Sequence, residues 1–88
     1  MKVLKFGAVW CSACLIMKPR WQEIEKELPW LQTEYHDVDE EPKLEQKYHL
    51  TDYPAFIFLD KNNNEFKRMY GEHEKDYLID FCKNNKDK

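Results

Sequence analysis

No apolar run in this sequence approaches the roughly 18–20 residues that cross a membrane. There is no excess of basic charge either: 14 Lys and Arg stand against 17 Asp and Glu, for a net charge of −3. Nucleic acid and anionic lipid both call for a basic patch, so this balance argues against either as partner. Cysteine is sparse and odd in number. Three cannot make a disulfide framework, because one is left unpaired. A structural zinc site wants four ligands at close spacing. Beyond one cysteine pair, only Cys82 and the scattered His36, His49 and His73 remain, which argues against a metal in a monomer. There is no repeat, linker or low-complexity segment. The opening Met1-Lys2-Val3-Leu4-Lys5 leads straight into patterned sequence, without the longer apolar stretch and small-residue cleavage site of a signal peptide. The expectation is a cytoplasmic protein.

What is present fits one small domain over residues 1–88, with a core near the lower limit for folding without staples. Aromatic residues, 15% of the chain, help so short a sequence fill that core.

The most informative stretch is Trp10-Cys11-Ser12-Ala13-Cys14. Two cysteines lie three apart, and a helical pattern follows. That spacing sets the first sulfur at a helix N-terminus, where unpaired N–H groups and the helix dipole favour a thiolate. The second lies one turn inside, able to attack a disulfide made by the first. Cys11 reads as the attacking thiol. Cys14 reads as the resolving thiol, expected to be the more buried and to hold its proton more tightly. Ser12 and Ala13 tune the pair by being neither Pro nor His. Trp10 is expected to pack over the motif and shield the sulfurs.

Along the chain, residues 2–9 read as a strand buried on both faces, with Lys5 as the one interruption. A helix is expected from about Cys11 to Leu28, with Ile16, Met17, Trp21, Ile24 and Leu28 inward and Pro19 bending it. Residues 32–38 read as a weaker strand. A short helix opening at Asp39-Glu40-Glu41-Pro42 runs to about His49 with Leu44 and Tyr48 on its inner edge. Ala55–Leu59 is a buried strand, Asp60–Asn64 a turn, and residues 65–70 a hairpin partner whose Lys67 and Arg68 suit a sheet edge. The last helix covers about 73–84, with Tyr77, Leu78, Phe81 and Cys82 inward, before a polar tail. The order β-α-β-α-β-β-α predicts an α/β fold: a mixed four-stranded sheet with helices on both faces. A right-handed crossover makes the first two strands parallel.

This order, joined to the cysteine motif, resembles the thioredoxin family over nearly the whole chain. Pro19 stands five residues after Cys14, like the family's helix-kinking proline. Asp39-Glu40-Glu41-Pro42 resembles the Asp-x-x-Pro that opens the next helix. Tyr53-Pro54-Ala55-Phe56 resembles the segment whose X-Pro bond is cis and faces the active site, and Gly71 matches a glycine of the substrate groove. In length the chain is closer to short thioredoxin-like proteins, lacking an extra N-terminal strand and helix. The resemblance implies disulfide-containing protein substrates, electrons from a separate reductase or dithiol donor, no bound cofactor, and a monomer. It casts Trp10, Tyr53, Pro54 and Gly71 as the substrate surface.

Three departures stand out. The motif is Cys-Ser-Ala-Cys rather than Cys-Gly-Pro-Cys. Lys5 stands where thioredoxins keep a buried acid, and Tyr35 roughly where they keep that acid's lysine partner. Lys5 has two readings: a buried cation beside the sulfurs, or a snorkelling side chain with its ammonium in water. The second is the expectation. A non-enzymatic redox-sensing or partner-binding module is the alternative function. A glutathione-dependent glutaredoxin fits less well, because Thr51-Asp52-Tyr53 precedes Pro54 and Glu72 follows Gly71.

Overall fold

A computed structural model describes residues 1–88. Its elements are β1 (Lys2–Gly7), α1 (Ser12–Glu27), β2 (Gln32–Asp37), α2 (Pro42–Tyr48), β3 (Ala55–Leu59), β4 (Glu65–Tyr70) and α3 (Lys75–Asn84). The strands form one sheet in the order β2-β1-β3-β4, with β1 parallel to β2 and antiparallel to β3. This is the mixed four-stranded sheet expected from the pattern.

Strand alternation divides the core. Val3, Phe56, Phe58 and Met69 face one side and pack with Met17, Trp21 and Ile24 of α1 and Leu78, Ile79 and Cys82 of α3. Leu4, Phe6, Ala55, Ile57 and Leu59 face the other, under Leu44 and Tyr48. All five residues of β3 are buried, as a strand with helices on both faces requires. Each large apolar side chain so buried contributes about 1.5–3 kcal/mol. The edge strand β4 carries Lys67 and Arg68, and the hairpin before it turns through Asn63 at φ 64°. Such charge discourages pairing with another chain. No helix is long and apolar enough to cross a membrane.

Three residues assigned inward by periodicity face out. Val9 is 76% exposed because β1 stops at Gly7 and the chain turns toward the cysteines. Ile16 and Tyr77 are also exposed. In α3 the buried stripe is Leu78, Ile79 and Cys82, so Ile79 takes the place expected of Tyr77. Pro19 lies inside α1, whose helical span is unbroken from Ser12 to Glu27.

Candidate active site

The site forms where β1 ends and α1 begins. Cys11 is the N-cap of α1, in extended backbone conformation, and its Sγ accepts the Cys14 backbone N–H at 3.2 Å. One of the orphan donors of the helix end is thus aimed at a sulfur. A negative sulfur gains most from that donor and from the dipole. All three cysteines are free thiols. Cys11 and Cys14 are equally covered, each 9% exposed, so the expectation that Cys14 is the more buried residue fails. What separates them is their surroundings. Burial first, and then its hydrogen bond to Cys11, push the Cys14 thiol up to about 12. Cys14 therefore holds its proton in the neutral range, as expected of the resolving position.

Ser12 is exposed at the first turn and Ala13 is half-buried. Trp10 is 64% exposed, so it is not core filling. Its indole N–H donates to Asp39 Oδ2 at 2.9 Å, and its ring meets Tyr53 edge-on with centroids 5.9 Å apart. Tyr53 is fixed in turn by its hydroxyl on Glu45. Burial and then that carboxylate push its phenol up. The Tyr53-Pro54 bond is cis. Gly71, at φ 85°, donates its N–H to the Pro54 carbonyl at 2.8 Å. The substrate-surface residues inferred from sequence thus form two tied pairs, Trp10 with Tyr53 and Pro54 with Gly71.

Behind the motif lies a half-open cleft of about 240 Å³, which Cys14, Lys5, Glu25, Tyr35 and Pro54 help to line. Lys5 corrects the expectation of a solvated ammonium. Its side chain is 15% exposed, and Nζ sits 2.6 Å from Glu25 Oε2. The cause is strand parity: Lys5 shares the face of Val3, beneath α1, where Glu25 and the Trp21 ring meet it. Glu25 is a site residue that sequence reasoning missed, since nothing in a 20-residue separation announces the pair. Gly7 is another. A Cβ there would stand 3.0 Å from the Tyr35 hydroxyl oxygen and 3.3 Å from Cys14 Sγ. A glycine ending a buried strand was the available signal, because such glycines mark close approach.

The family model described as Thioredoxin matches residues 1–84. The chain belongs to the thioredoxin family. Among similar thioredoxins, Thioredoxin H5 of Oryza sativa subsp. japonica is 36% identical over 98% of this chain, which spans 63% of that protein. A thioredoxin of Rickettsia bellii is 32% identical over 94% of this chain and 79% of its own length. Thioredoxin 1 of Thermosipho africanus superposes with a TM-score of 0.82 at 30% identity, covering 96% of this chain and 92% of that one. Thioredoxin-2 of a malaria parasite reaches 0.89 at 26% identity, covering 94% and 81%. The β-α-β-α-β-β-α order and mixed sheet are those of these thioredoxin-fold neighbours.

Proposed function

We propose that this thioredoxin-family protein is a thiol–disulfide oxidoreductase that reduces protein disulfides with the Cys11/Cys14 dithiol. The observation that carries the reading is the Cys14 N–H aimed at Cys11 Sγ on the helix N-cap, with the second thiol one turn away. Cys11 thiolate attacks a substrate disulfide. One substrate sulfur leaves as a thiolate and the other is joined to Cys11. Cys14 then loses its proton and attacks Cys11 Sγ. The second substrate sulfur departs, and a Cys11–Cys14 disulfide remains. Two electrons pass from the dithiol to the substrate. A separate reductase or dithiol donor restores the thiols, and no bound cofactor takes part.

Trp10, Tyr53, Pro54 and Gly71 form the surface offered to the substrate. The tie between Gly71 and Pro54 supports this role, because it holds two separate loops at one edge of the cleft. The protein acts in this reading as a monomer in the cytoplasm. Two intact cysteines favour this over the rival reading, a non-enzymatic redox-sensing or partner-binding module, which a Cys-x-x-Ser motif would suit better.

Insulin reduction with dithiothreitol tests the activity: catalysed precipitation of insulin is expected, and a rate equal to dithiothreitol alone would favour the binding module. Cys14→Ser should trap a Cys11 mixed disulfide with the substrate, since the first attack does not need the second thiol. Release of substrate at the parent's rate would show a different resolving group.

A further inference from the structure

We propose that the face around the thiols takes basic protein substrates, whose disulfides lie among apolar side chains and Lys or Arg. The inference rests on the disulfide-exchange reading and gives that reaction its substrate class. The centre of the face is apolar: Val9, Trp10, Leu15 and Ile16 are all exposed. Leu15 and Ile16 stand three and four residues after Ser12, so they share its outward side of α1. Single apolar residues on a surface need no explanation, but a group of them beside two thiols marks a contact surface.

The rim of the face is acidic. Four segments meet here, residues 8–16, 37–41, 51–54 and 71–74. The Val38 N–H donates to the Gly7 carbonyl at 3.0 Å, and Asp39 accepts the Trp10 indole N–H. Tyr53 meets Trp10 edge-on, and the Gly71 N–H donates to Pro54. Seven of the chain's 17 Asp and Glu lie in these segments and none of its 14 Lys and Arg does, so the rest of the chain has more cations than carboxylates. Asp37, Asp39, Glu40, Asp52 and Glu74 have no ion-pair partner. Such carboxylates are open to a cation that another molecule brings, and a face of one sign also steers that molecule in.

One seat for such a cation follows Gly71. It is an open pocket of about 430 Å³ lined by Glu72, His73, Glu74 and Tyr77. Arg20 donates to the His73 carbonyl at 2.6 Å and stands 3.6 Å from Glu72, which fixes the loop and leaves Glu74 free. The Tyr77 ring is exposed and stacks on His73, with centroids 5.8 Å apart. A substrate Lys or Arg can lay its stem on that ring and its charge on Glu74. The same rim disfavours other occupants. A second copy of this chain would set carboxylate against carboxylate, and glutathione, an acidic peptide, would meet its own sign.

The test compares single-turnover reduction of two peptides by the reduced protein. Each peptide is closed by one disulfide with leucine beside each cysteine, and the two differ only in carrying lysine or glutamate further out. Each rate is divided by that peptide's rate with dithiothreitol, which cancels the effect of flanking charge on the sulfurs themselves. The lysine peptide should react about tenfold faster in dilute buffer, and the preference should shrink toward unity in about 1 M salt. Glu40→Gln/Glu74→Gln removes two exposed, unpaired charges and should cut the preference about threefold. The preference is a ratio within one protein, so a change in Cys11 reactivity or a loss of active protein leaves it unmoved. Equal rates for the two peptides, or a preference that neither salt nor the double variant reduces, overturns the assignment. Neutral hydroxyethyl disulfide separates the two failures. A parent that reduces it without preferring the lysine peptide loses only the substrate class, whereas a parent that reduces none of the three loses the exchange reading itself.

Discussion

Lys5 Nζ stands 2.6 Å from Glu25 Oε2, and this ion pair walls the cleft that ends on Cys14. A cation placed alone under α1 would carry a desolvation cost of several kcal/mol. Paired, it presents the sulfurs with a nearly neutral dipole instead of a charge.

The pair yields the first prediction. Lys5→Met leaves the Glu25 carboxylate, about a third exposed, without its partner. The expected loss is about 1 kcal/mol, discounted for solvent screening, or a Tm lower by about 4–8 °C. Lys5→Met/Glu25→Gln removes both charges and should recover part of that loss. In this double variant iodoacetamide should label Cys11 at the parent's rate. A clearly slower rate would restore the view of Lys5 as a cation that activates the thiol.

The second prediction concerns which thiol reacts. Burial pushes Cys14 up to about 12 and Cys82 up to about 11, so both are almost wholly protonated at neutral pH. Cys11 is the helix N-cap, with the Cys14 backbone N–H aimed at its sulfur. Limited iodoacetamide treatment of the reduced protein near neutral pH should therefore modify Cys11 first. Mass mapping that finds Cys14 or Cys82 modified first would reverse the roles assigned to them.

Gly71 supplies the third. No atom lies within 4 Å of the position its Cβ would take, so a side chain meets no obstacle there. Its backbone, at φ 85°, is the sole source of cost. Gly71→Ala should lose about 1 kcal/mol in urea unfolding. Gly71→Asn, whose side chain tolerates positive φ, should lose less. Equal stability of all three proteins would refute the backbone argument.

How far the sequence led depends on what kind of signal each feature leaves. The strands Ala55–Leu59 and Glu65–Tyr70 match expectation to the residue. Pro54 and the asparagine turn mark their ends, and burial on both faces leaves an unbroken apolar run. The cysteine pair was legible because its chemistry is local to five residues. Val9 and Ile16 were misplaced because apolar periodicity cannot distinguish a core face from a surface left open beside the thiols. Tyr35 was noticed for its position, but not for the close approach of its hydroxyl to Gly7. That approach depends on the β1–β2 register and on a missing Cβ at Gly7, and neither is written in a local pattern. The Lys5–Glu25 pair depends on strand parity meeting a helix face, which likewise exists only after folding.

Cys82 gives the last prediction, on alkaline stability. The side chain is wholly buried on α3, and that burial moves its thiol from an ordinary 9.0 to about 11. Between these values the folded chain keeps a proton that the unfolded chain has released, so stability falls as pH rises. The contribution is intact below about pH 9 and is lost on the way to about pH 11, a change of up to roughly 2–3 kcal/mol. Other groups add to the same slope: Cys14, and the phenols of Tyr35 and Tyr53, are all pushed up. The parent's slope alone therefore does not isolate Cys82, and the difference between parent and Cys82→Ala does. At about pH 8 the variant should be less stable by about 1 kcal/mol, from the small cavity left by the sulfur. By about pH 10.5 it should have lost about 2 kcal/mol less than the parent, so that the two curves cross. Urea unfolding at both pH values decides the matter. Equal losses in the two proteins would mean that the Cys82 thiol titrates in the folded chain as it does in the unfolded one, and that its burial has no electrostatic consequence.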